Sequence, residues 1–210
     1  MFTTQISVHT QELMGVLAPV LPINTYLAGG TALALHLDHR QSFDLDLYSP
    51  QEFEVNMLLQ RLEKNISDFQ LISTSWQTIH GFSQDTELSL FYYQYPLLEK
   101  LTEFKGLPIS SVADIGAMKL EAILGRGLKR DFFDLYAICQ QEDYDLEKLV
   151  RLNQQKYSRD ESYLPHLLKS LTYFTDAEEL PERAKIVDSE WRKVKEYFEQ
   201  EVRGLVESYL

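Results

Sequence analysis

Two acidic residues one position apart carry the clearest chemical signal in this chain. Asp44 and Asp46 lie within Ser42–Tyr48, a segment that alternates apolar and polar residues and therefore predicts a half-buried β-strand. Residues i and i+2 of a strand project from the same face, so both carboxylates are expected to face one ligand. Mg²⁺ prefers such oxygen ligands, completed by water and substrate phosphates. A bound cation would also offset the repulsion between the two charges.

A pair of glycines precedes these acids, at the predicted junction of a strand and a helix. Thr25–Ala28 is a short extended segment, Gly29 and Gly30 follow it, and Thr31–Leu37 has the Ala/Leu composition of a helix. Glycines let the backbone turn tightly and approach a ligand closely, and the N–H groups at a helix start attract phosphate. Taken alone, two glycines before a helix are usually a plain turn, and an isolated Asp-x-Asp is usually a solvent-facing strand edge. Their combination favours a phosphate and metal site.

Arg40 lies between the glycines and the acids. Its planar guanidinium matches the geometry of phosphate oxygens, so we expect it to contribute to an anion site. His36 and His39 belong to the same stretch, but they lack the spacing of metal ligands. We interpret them as residues that pack at a helix end or face solvent.

A local excess of basic residues begins at Lys119, although the chain as a whole has a formal net charge of −12. Lys119 lies between Met118 and Leu120, so its stem is expected to be partly desolvated in a packed helix. A long side chain of this kind can bring its ammonium group to the β- and γ-phosphates of a nucleotide. The alternative is a surface lysine paired with Glu121 or Asp114.

A basic and acidic corner follows in the sequence. Arg126, Lys129 and Arg130 surround two glycines and are suited to phosphate or an RNA backbone. Asp131 and Asp134 fall at i and i+3, on one face of the next predicted helix. Two interpretations stay open for these acids: they orient the neighbouring cations, or they lie at a helix start, where acids are favoured. Asp134, next to an aromatic run, is the better candidate for a functional salt bridge.

Both regions resemble the AbiEii/AbiGii-type nucleotidyltransferases of the polymerase-β-like superfamily. The first likeness runs through Tyr26–Leu35 and His39–Asp46, and the second through Ala113–Leu120 and Gly125–Leu135. The resemblance implies a nucleotidyltransferase that uses an NTP with Mg²⁺ or Mn²⁺ and modifies an RNA such as tRNA, or a protein. It also implies a bacterial toxin with a cognate antitoxin.

The resemblance assigns roles to individual residues as well. The implied metal ligands are Asp44 and Asp46, with Glu87 as the candidate third carboxylate. Lys119 and Asp134 complete the implied catalytic set. The resemblance also places Gly30 and Thr31 near the triphosphate. Together with the residues argued above, the predicted nucleotide-binding set is Gly29, Gly30, Thr31, Arg40, Lys119, Arg126, Lys129 and Arg130.

The third carboxylate is the point at which this chain departs from the family pattern. Glu87 is the only acid of the predicted strand 87–95, and it stands at the strand's start. Three interpretations follow: Glu87 serves, or two carboxylates and Lys119 suffice, or catalysis has been lost. The sequence predicts an enzyme, and the alternative is a catalytically inactive module on the same fold that binds a nucleotide or a partner.

The elements that must position these residues change character at Pro96. Before it, a helix is predicted over 5–18, followed by the strands and helix already described. A second helix is predicted from the capping box Ser49–Glu52 to Asn65. Two further strands are predicted over 69–75 and 87–95, with Gly81 in the connection between them. After it the predicted elements are helices from Ser111 to Gly125, from Lys129 to Gln141 and over 182–203. The sequence thus predicts an α/β (α+β) nucleotidyltransferase-fold core over 1–104, a mixed sheet flanked by helices. A helical domain over 105–210 is expected to pack on that core.

Composition restricts the environment and the partners. The acidic net charge of −12 argues against broad nucleic-acid binding, which depends on neutralising phosphates with Lys and Arg, although a local basic site remains compatible with it. The single cysteine, Cys139, is expected to be a buried small hydrophobe, and its lack of a disulfide partner suits a reducing compartment. The N-terminus lacks the features of a signal peptide, and no apolar stretch approaches the roughly 20 residues of a membrane span. The sequence predicts a cytoplasmic protein with no membrane partner.

Overall fold

Strands are confined to residues 26–109 of the described chain, and the elements that follow Ser111 are helices. The computed structural model describes residues 1–141, 143–179 and 186–209. The chain divides into two units, Met1–Ser111 and Val112–Leu210. The predicted order, an α/β core followed by a helical half, is confirmed.

The helices and strands of the first unit alternate along the chain. They are α1 (Val8–Leu17), β1 (Tyr26–Ala28), α2 (Gly29–Leu37), β2 (Asp44–Ser49), α3 (Val55–Asn65), β3 (Gln70–Ser75), β4 (Thr78–Ser83), β5 (Thr86–Tyr92), β6 (Thr102–Phe104) and β7 (Leu107–Ile109).

All seven strands form one sheet in the order β3-β4-β5-β2-β1-β7-β6. The sheet is mixed as predicted, because β2 pairs in parallel with β5 and antiparallel with β1. Apolar and polar residues alternate along β2, so they lie on opposite faces. Leu45 and Leu47 are fully buried on one face, while Asp44 and Asp46 lie half-buried on the other. Apolar burial on the first face fixes the register of β2 and so directs both carboxylates to the second face.

Two details of the first unit differ from the sequence prediction. The predicted helix start at the capping box Ser49–Glu52 is wrong, because β2 continues to Ser49, which pairs with Tyr92 of β5. The Ser49 hydroxyl donates to the Gln51 carbonyl, so it closes a local turn, and α3 begins only at Val55. Gly81, predicted to lie in a connection, lies inside β4.

The segment after Pro96 was also expected to be helical, but it first forms β6 and β7. These two short strands pair with each other around Lys105 and Gly106, which have positive φ angles of 53° and 79° and make a tight hairpin turn. Because β7 then pairs with β1, residues 105–111 belong to the first unit. The division therefore falls after Ser111, beyond the predicted boundary at 104.

The second unit is built from helices around α4. They are α4 (Val112–Gly125), α5 (Lys129–Cys139), α6 (Leu146–Tyr157), a short 3₁₀ turn (Glu161–Tyr163), α7 (Leu164–Ser170), α8 (Thr175–Glu179) and α9 (Asp188–Tyr209). The predicted helix over 182–203 corresponds to α9, although its first residues, 182–185, lie outside the described residues.

Close packing holds α4 and α5 inside this unit. A Cβ on Gly116 would lie 2.7 Å from a methyl carbon of Leu149, so α4 and α6 approach each other more closely than a side chain would permit. On α5, the Phe132 ring lies 5.5 Å from that of Phe198 and 5.9 Å from that of Trp191, both on α9. Edge-on aromatic contacts of this kind stabilise a helical core.

No helix among the described residues is both long enough and apolar enough to cross a membrane.

Candidate active site

The Asp46 carboxylate lies against the glycine turn that opens α2. The backbone register places Asp46 opposite Ala28, the last residue of β1, and Gly29 follows with a φ of +69°. A Cβ on Gly29 would overlap Asp46 Oδ2. A side chain is therefore excluded at Gly29 both by its backbone conformation and by the carboxylate, which sits directly beside the start of the helix.

A guanidinium group covers the second glycine. A Cβ on Gly30 would lie 2.5 Å from Arg40 Nη2 and 3.1 Å from Ser42 Oγ. Arg40 also donates through Nη1 to the carbonyl of Gln41, at 2.9 Å. The N-terminus of the nine-residue helix α2 and a fixed cation thus meet at one place, an arrangement that favours an anion such as phosphate.

Thr31, predicted to hold the nucleotide, directs its hydroxyl toward the first residue of β2. It is fully buried, donates to the main-chain carbonyl of Asp44, and lies 2.8 Å from Ser42 Oγ, within hydrogen-bond distance. These two contacts tie the first turn of α2 to the strand that carries the acids. Thr31 therefore holds the glycine turn and the Asp44 carboxylate in a fixed relation.

Two further strands, β5 and β4, bring polar residues to the face of Asp44 and Asp46. In the parallel pairing of β2 with β5, Asp44 lies beside Glu87 and Asp46 beside Ser89, and His80 of β4 lies beside Ser89. His80 Nε2 is 3.3 Å from Ser89 Oγ, and His80 Nδ1 is 3.6 Å from Glu87 Oε1. Glu87, predicted as the third carboxylate, is therefore the direct neighbour of Asp44 in the sheet.

The donor set on this face suits a hard divalent cation. Within 1–141, 143–179 and 186–209, no three His, Cys, Asp or Glu side chains form a preformed metal-binding group. Mg²⁺ is commonly held by one or two carboxylates together with substrate phosphates and water rather than by a complete protein cage. Asp44 and Asp46 fit that pattern, since Asp46 adjoins the anion-favouring start of α2.

Lys119 lies in the second unit, between two buried acids of α5. Its Nζ is 2.6 Å from Asp134 Oδ2 and 2.9 Å from Asp131 Oδ1. Arg126 Nε donates to Asp131 Oδ2 at 3.1 Å. The lysine side chain is 8% exposed and both carboxylates are fully buried, so these three residues form a desolvated charge network, which Arg126 joins from the surface.

This network lowers the pKa of Asp131. Burial alone would raise the pKa, but the charges of Lys119 and Arg126, and the hydrogen bonds that they donate, outweigh burial and hold it below the ordinary value. Asp131 is thus ionised in the folded chain. Its carboxylate contacts both cations, as the first interpretation of this acid expects. Asp131 also lies in the first turn of α5, whose N-cap residue Leu128 provides no side-chain cap.

The alternative partners proposed for Lys119 are engaged elsewhere. Asp114 pairs with Lys156 of α6 at 2.7 Å, and both side chains are fully buried. Glu121 accepts a hydrogen bond from Arg159 at 2.6 Å. Lys156 is a buried charge that the sequence did not reveal, because it lies 42 positions from Asp114 and no local pattern shows a pairing over that separation.

The remaining predicted cations are placed differently. Lys129 lies over the ring of Trp191, with Nζ 5.3 Å from the ring centroid, and Arg130 is half-buried at the next position of α5. Of the two histidines, His36 contacts the Ser110 carbonyl through Nε2 at 2.8 Å, as a packing residue would. His80 was missed altogether, because the strand that carries it was missed.

Comparison with known proteins agrees with this architecture. A family model described as "Nucleotidyl transferase AbiEii toxin, Type IV TA system" matches residues 85–204. An uncharacterized protein of Aquifex aeolicus strain VF5 is 34% identical over 187 residues, which cover 87% of this chain and 88% of that protein.

Solved structures share the fold at low sequence identity. The nucleotidyltransferase toxin MenT4 of Mycobacterium tuberculosis H37Rv aligns with a TM-score of 0.60 at 17% identity, over 93% of this chain and 82% of that one. A structure described as a putative nucleotidyltransferase from H. pylori aligns with a TM-score of 0.54 at 15% identity, over 98% of this chain and all of that one. The predicted nucleotidyltransferase fold and enzyme class are confirmed. The chain belongs to the AbiEii family of nucleotidyl transferase toxins of type IV toxin–antitoxin systems.

Proposed function

We propose that this chain transfers a nucleoside monophosphate from an NTP to an RNA such as tRNA, or to a protein, with Mg²⁺ or Mn²⁺. The contact between Asp46 and Gly29 carries the proposal. It supports a site at which a metal-binding carboxylate, that of Asp46, lies directly beside Gly29, the first residue of a helix whose start can bind phosphate. We further propose that the chain acts in the bacterial cytoplasm as a toxin controlled by a cognate antitoxin.

The first unit supplies the groups that would bind the triphosphate. The N–H groups at the start of α2 and the Arg40 guanidinium would bind its oxygens, and the absence of a side chain at Gly29 lets the Asp46 carboxylate adjoin this helix start. Asp44 and Asp46 would hold the divalent cation, which when bound stabilises charge on the attacking and leaving oxygens. Thr31 keeps these two parts of the site in register.

The transfer itself would be an in-line displacement at phosphorus. A hydroxyl oxygen of the acceptor bonds to the α-phosphorus, the bond from the α-phosphorus to the bridging oxygen breaks, and pyrophosphate leaves. The hydroxyl proton passes to a carboxylate, for which Glu87, the neighbour of Asp44 in the sheet, is the candidate. Positioning and electrostatic stabilisation supply most of the catalysis in such reactions.

The cations of the second unit are proposed to bind phosphate or the acceptor. Arg126 and Arg130 supply positive charge beside α5, and Lys119 anchors the start of that helix through Asp131 and Asp134. For Lys119 these contacts support a positioning role, because its ammonium group is already enclosed by two carboxylates. Lys129, over Trp191, is proposed to contribute long-range charge.

A transfer assay tests the proposal. The protein is incubated separately with each of four α-labelled NTPs, Mg²⁺ or Mn²⁺, and total bacterial RNA or protein. We expect label in one acceptor class, dependent on the cation, and at least a hundredfold less with Asp44→Asn/Asp46→Asn. Glu103→Gln, an exposed change on β6, is the matched control and should retain activity. Nucleotide binding by calorimetry without transfer to any acceptor would instead assign the chain to the inactive binding modules.

A further inference from the structure

The second unit contains a cavity of about 570 Å³ that shares Arg126 with the candidate phosphate-binding residues and contains none of the candidate metal ligands. It lies between the end of α4 with the turn that follows and the outward face of α7 with the segment leading to α8. Its walls include Arg126, Pro165, His166, Lys169, Tyr173 and Asp176. A cavity of this volume lies within the range for small-molecule sites and accommodates one nucleotide.

The cavity gathers positive charge in an otherwise acidic chain. Arg126 and Lys169 line it, against the single carboxylate of Asp176, whereas the whole chain has a net charge of −12. Arg126 is held in place by Asp131, and 56% of its side chain is nevertheless exposed. Fixed cations around a concave surface focus the local potential and attract phosphate despite an unfavourable net charge.

The same cavity offers flat apolar surface next to the cations. Tyr173 is 50% exposed, and Pro165 is exposed on α7, while Leu167 and Leu168 of that helix are buried beneath it. At the opposite wall, Gly125 is exposed, and a Cβ there would meet nothing within 4 Å. An exposed aromatic ring beside cations is the arrangement with which proteins stack the bases of single-stranded nucleic acids.

We infer that this cavity binds one nucleotide of single-stranded RNA, with the phosphate on Lys169 and Arg126 and the base on Tyr173. Asp176 favours this ligand over an acidic peptide or inorganic phosphate, because a carboxylate repels purely anionic ligands but accepts hydrogen bonds from a base amino group. The inference deepens the proposed function by giving the RNA acceptor a binding site. The same chemistry also occurs in a free mononucleotide, so the test must separate the two sources.

Binding is measured without NTP or divalent cation, so that the result is independent of turnover. A fluorescein-labelled seven-nucleotide RNA is titrated with protein, and anisotropy is followed at several salt concentrations. We expect Tyr173→Ala to weaken binding by about tenfold, which corresponds to one lost stacking contact. We expect Lys169→Ala to weaken it several-fold and to reduce the salt slope by about one.

A matched control comes from α9. Lys193 is exposed and is not among the residues that line the cavity, so Lys193→Ala removes the same charge and should leave RNA affinity within twofold of the parent chain. Thermal unfolding of each variant verifies that the fold is intact. Unlabelled AMP or CMP should compete only weakly.

Four outcomes would overturn the inference. They are no RNA binding, unchanged binding with Tyr173→Ala, an equal loss with Lys193→Ala and Lys169→Ala, and competition by a mononucleotide as strong as that by unlabelled RNA. The last would assign the cavity to a free nucleotide. RNA binding that depends on Tyr173 in a chain without transfer activity would sustain this inference and refute the proposed function, so the two failures are distinguishable.

Discussion

The Asp46 carboxylate occupies the space in which a side chain on Gly29 would have to lie. One residue is the first of α2 and the other is the third of β2, so the contact joins the anion-favouring helix start to the acid strand. It also explains why the turn needs glycine at that position: its φ of +69° is unfavourable for other residues, and the carboxylate leaves no room for a methyl group.

Gly29→Ala should therefore both destabilise the chain and displace Asp46. We expect a loss of about 2 kcal/mol in the free energy of unfolding, because an L-residue in this conformation costs about 1–2 kcal/mol and the overlap adds to it. Urea unfolding measures the change. Gly204→Ala is the matched control: a Cβ there meets nothing within 4 Å, and alanine inside a helix is favoured by up to about 1 kcal/mol. Equal stability for the two variants would contradict the close contact.

Lys119→Met should be among the most destabilising single changes in the second unit. It removes the cation between Asp131 and Asp134 while preserving the stem, and leaves two fully buried carboxylates without that cation. Breaking a buried ion pair on one side costs about 3–5 kcal/mol. For comparison, Arg151→Ala removes a pair with Glu147 in which both side chains are at least 44% exposed, and should cost less than about 1 kcal/mol. Similar losses in urea unfolding would show that the Lys119 network is not desolvated.

The lowered pKa of Asp131 predicts acid sensitivity. Because Lys119 and Arg126 outweigh burial and hold this pKa below the ordinary value in the folded chain, the unfolded chain takes up the proton at a higher pH. The stabilisation is complete above the unfolded value of about 4 and is lost as the pH falls from there through the folded value. Urea unfolding between pH 7 and pH 3 should show this loss. Asp131→Asn should be less stable at pH 7 and fall less steeply below pH 4, and parallel curves would contradict the assignment.

Cys139 should resist alkylation in the folded chain. Burial, with smaller contributions from nearby carboxylates, raises the pKa of its thiol to about 12 despite a hydrogen bond with Tyr197. At pH 8 the thiolate fraction is then roughly a thousandfold below that of an ordinary cysteine. Iodoacetamide labelling followed by mass spectrometry should be correspondingly slow, and should reach the ordinary rate in urea. Rapid labelling without urea would contradict this account of the thiol.

The parts of the site that arise from local sequence could be predicted. The apolar and polar alternation around Asp44 fixed which face of β2 each side chain would take, and the two glycines fixed the turn before α2. The positions of Glu87 and His80 beside them could not be predicted, because they depend on pairing among β2, β5 and β4. Strand pairing is set by the whole sheet rather than by neighbours in sequence.

Glycines lie within or between the three missed strands β4, β6 and β7. Gly81 suggested a connection, yet it lies within β4, where a Cβ would come within 2.6 Å of the Phe69 ring; the glycine is there for close packing. Lys105 and Gly106 form the tight turn between β6 and β7, a signal that could have been recognised from the preference of such turns for glycine. The buried pair of Asp114 and Lys156 had no local signal of any kind.

Cation-dependent incorporation of an α-labelled nucleotide into its acceptor, compared between the parent chain and Asp46→Asn, tests the central claim most directly. Asparagine keeps the size of the side chain over Gly29 but removes the charge that would hold the metal. We predict incorporation by the parent chain that is abolished by EDTA and restored by Mg²⁺ or Mn²⁺, and a loss of at least a hundredfold in the variant with unfolding stability retained. Equal incorporation by both proteins, or incorporation that is insensitive to EDTA, would contradict the account.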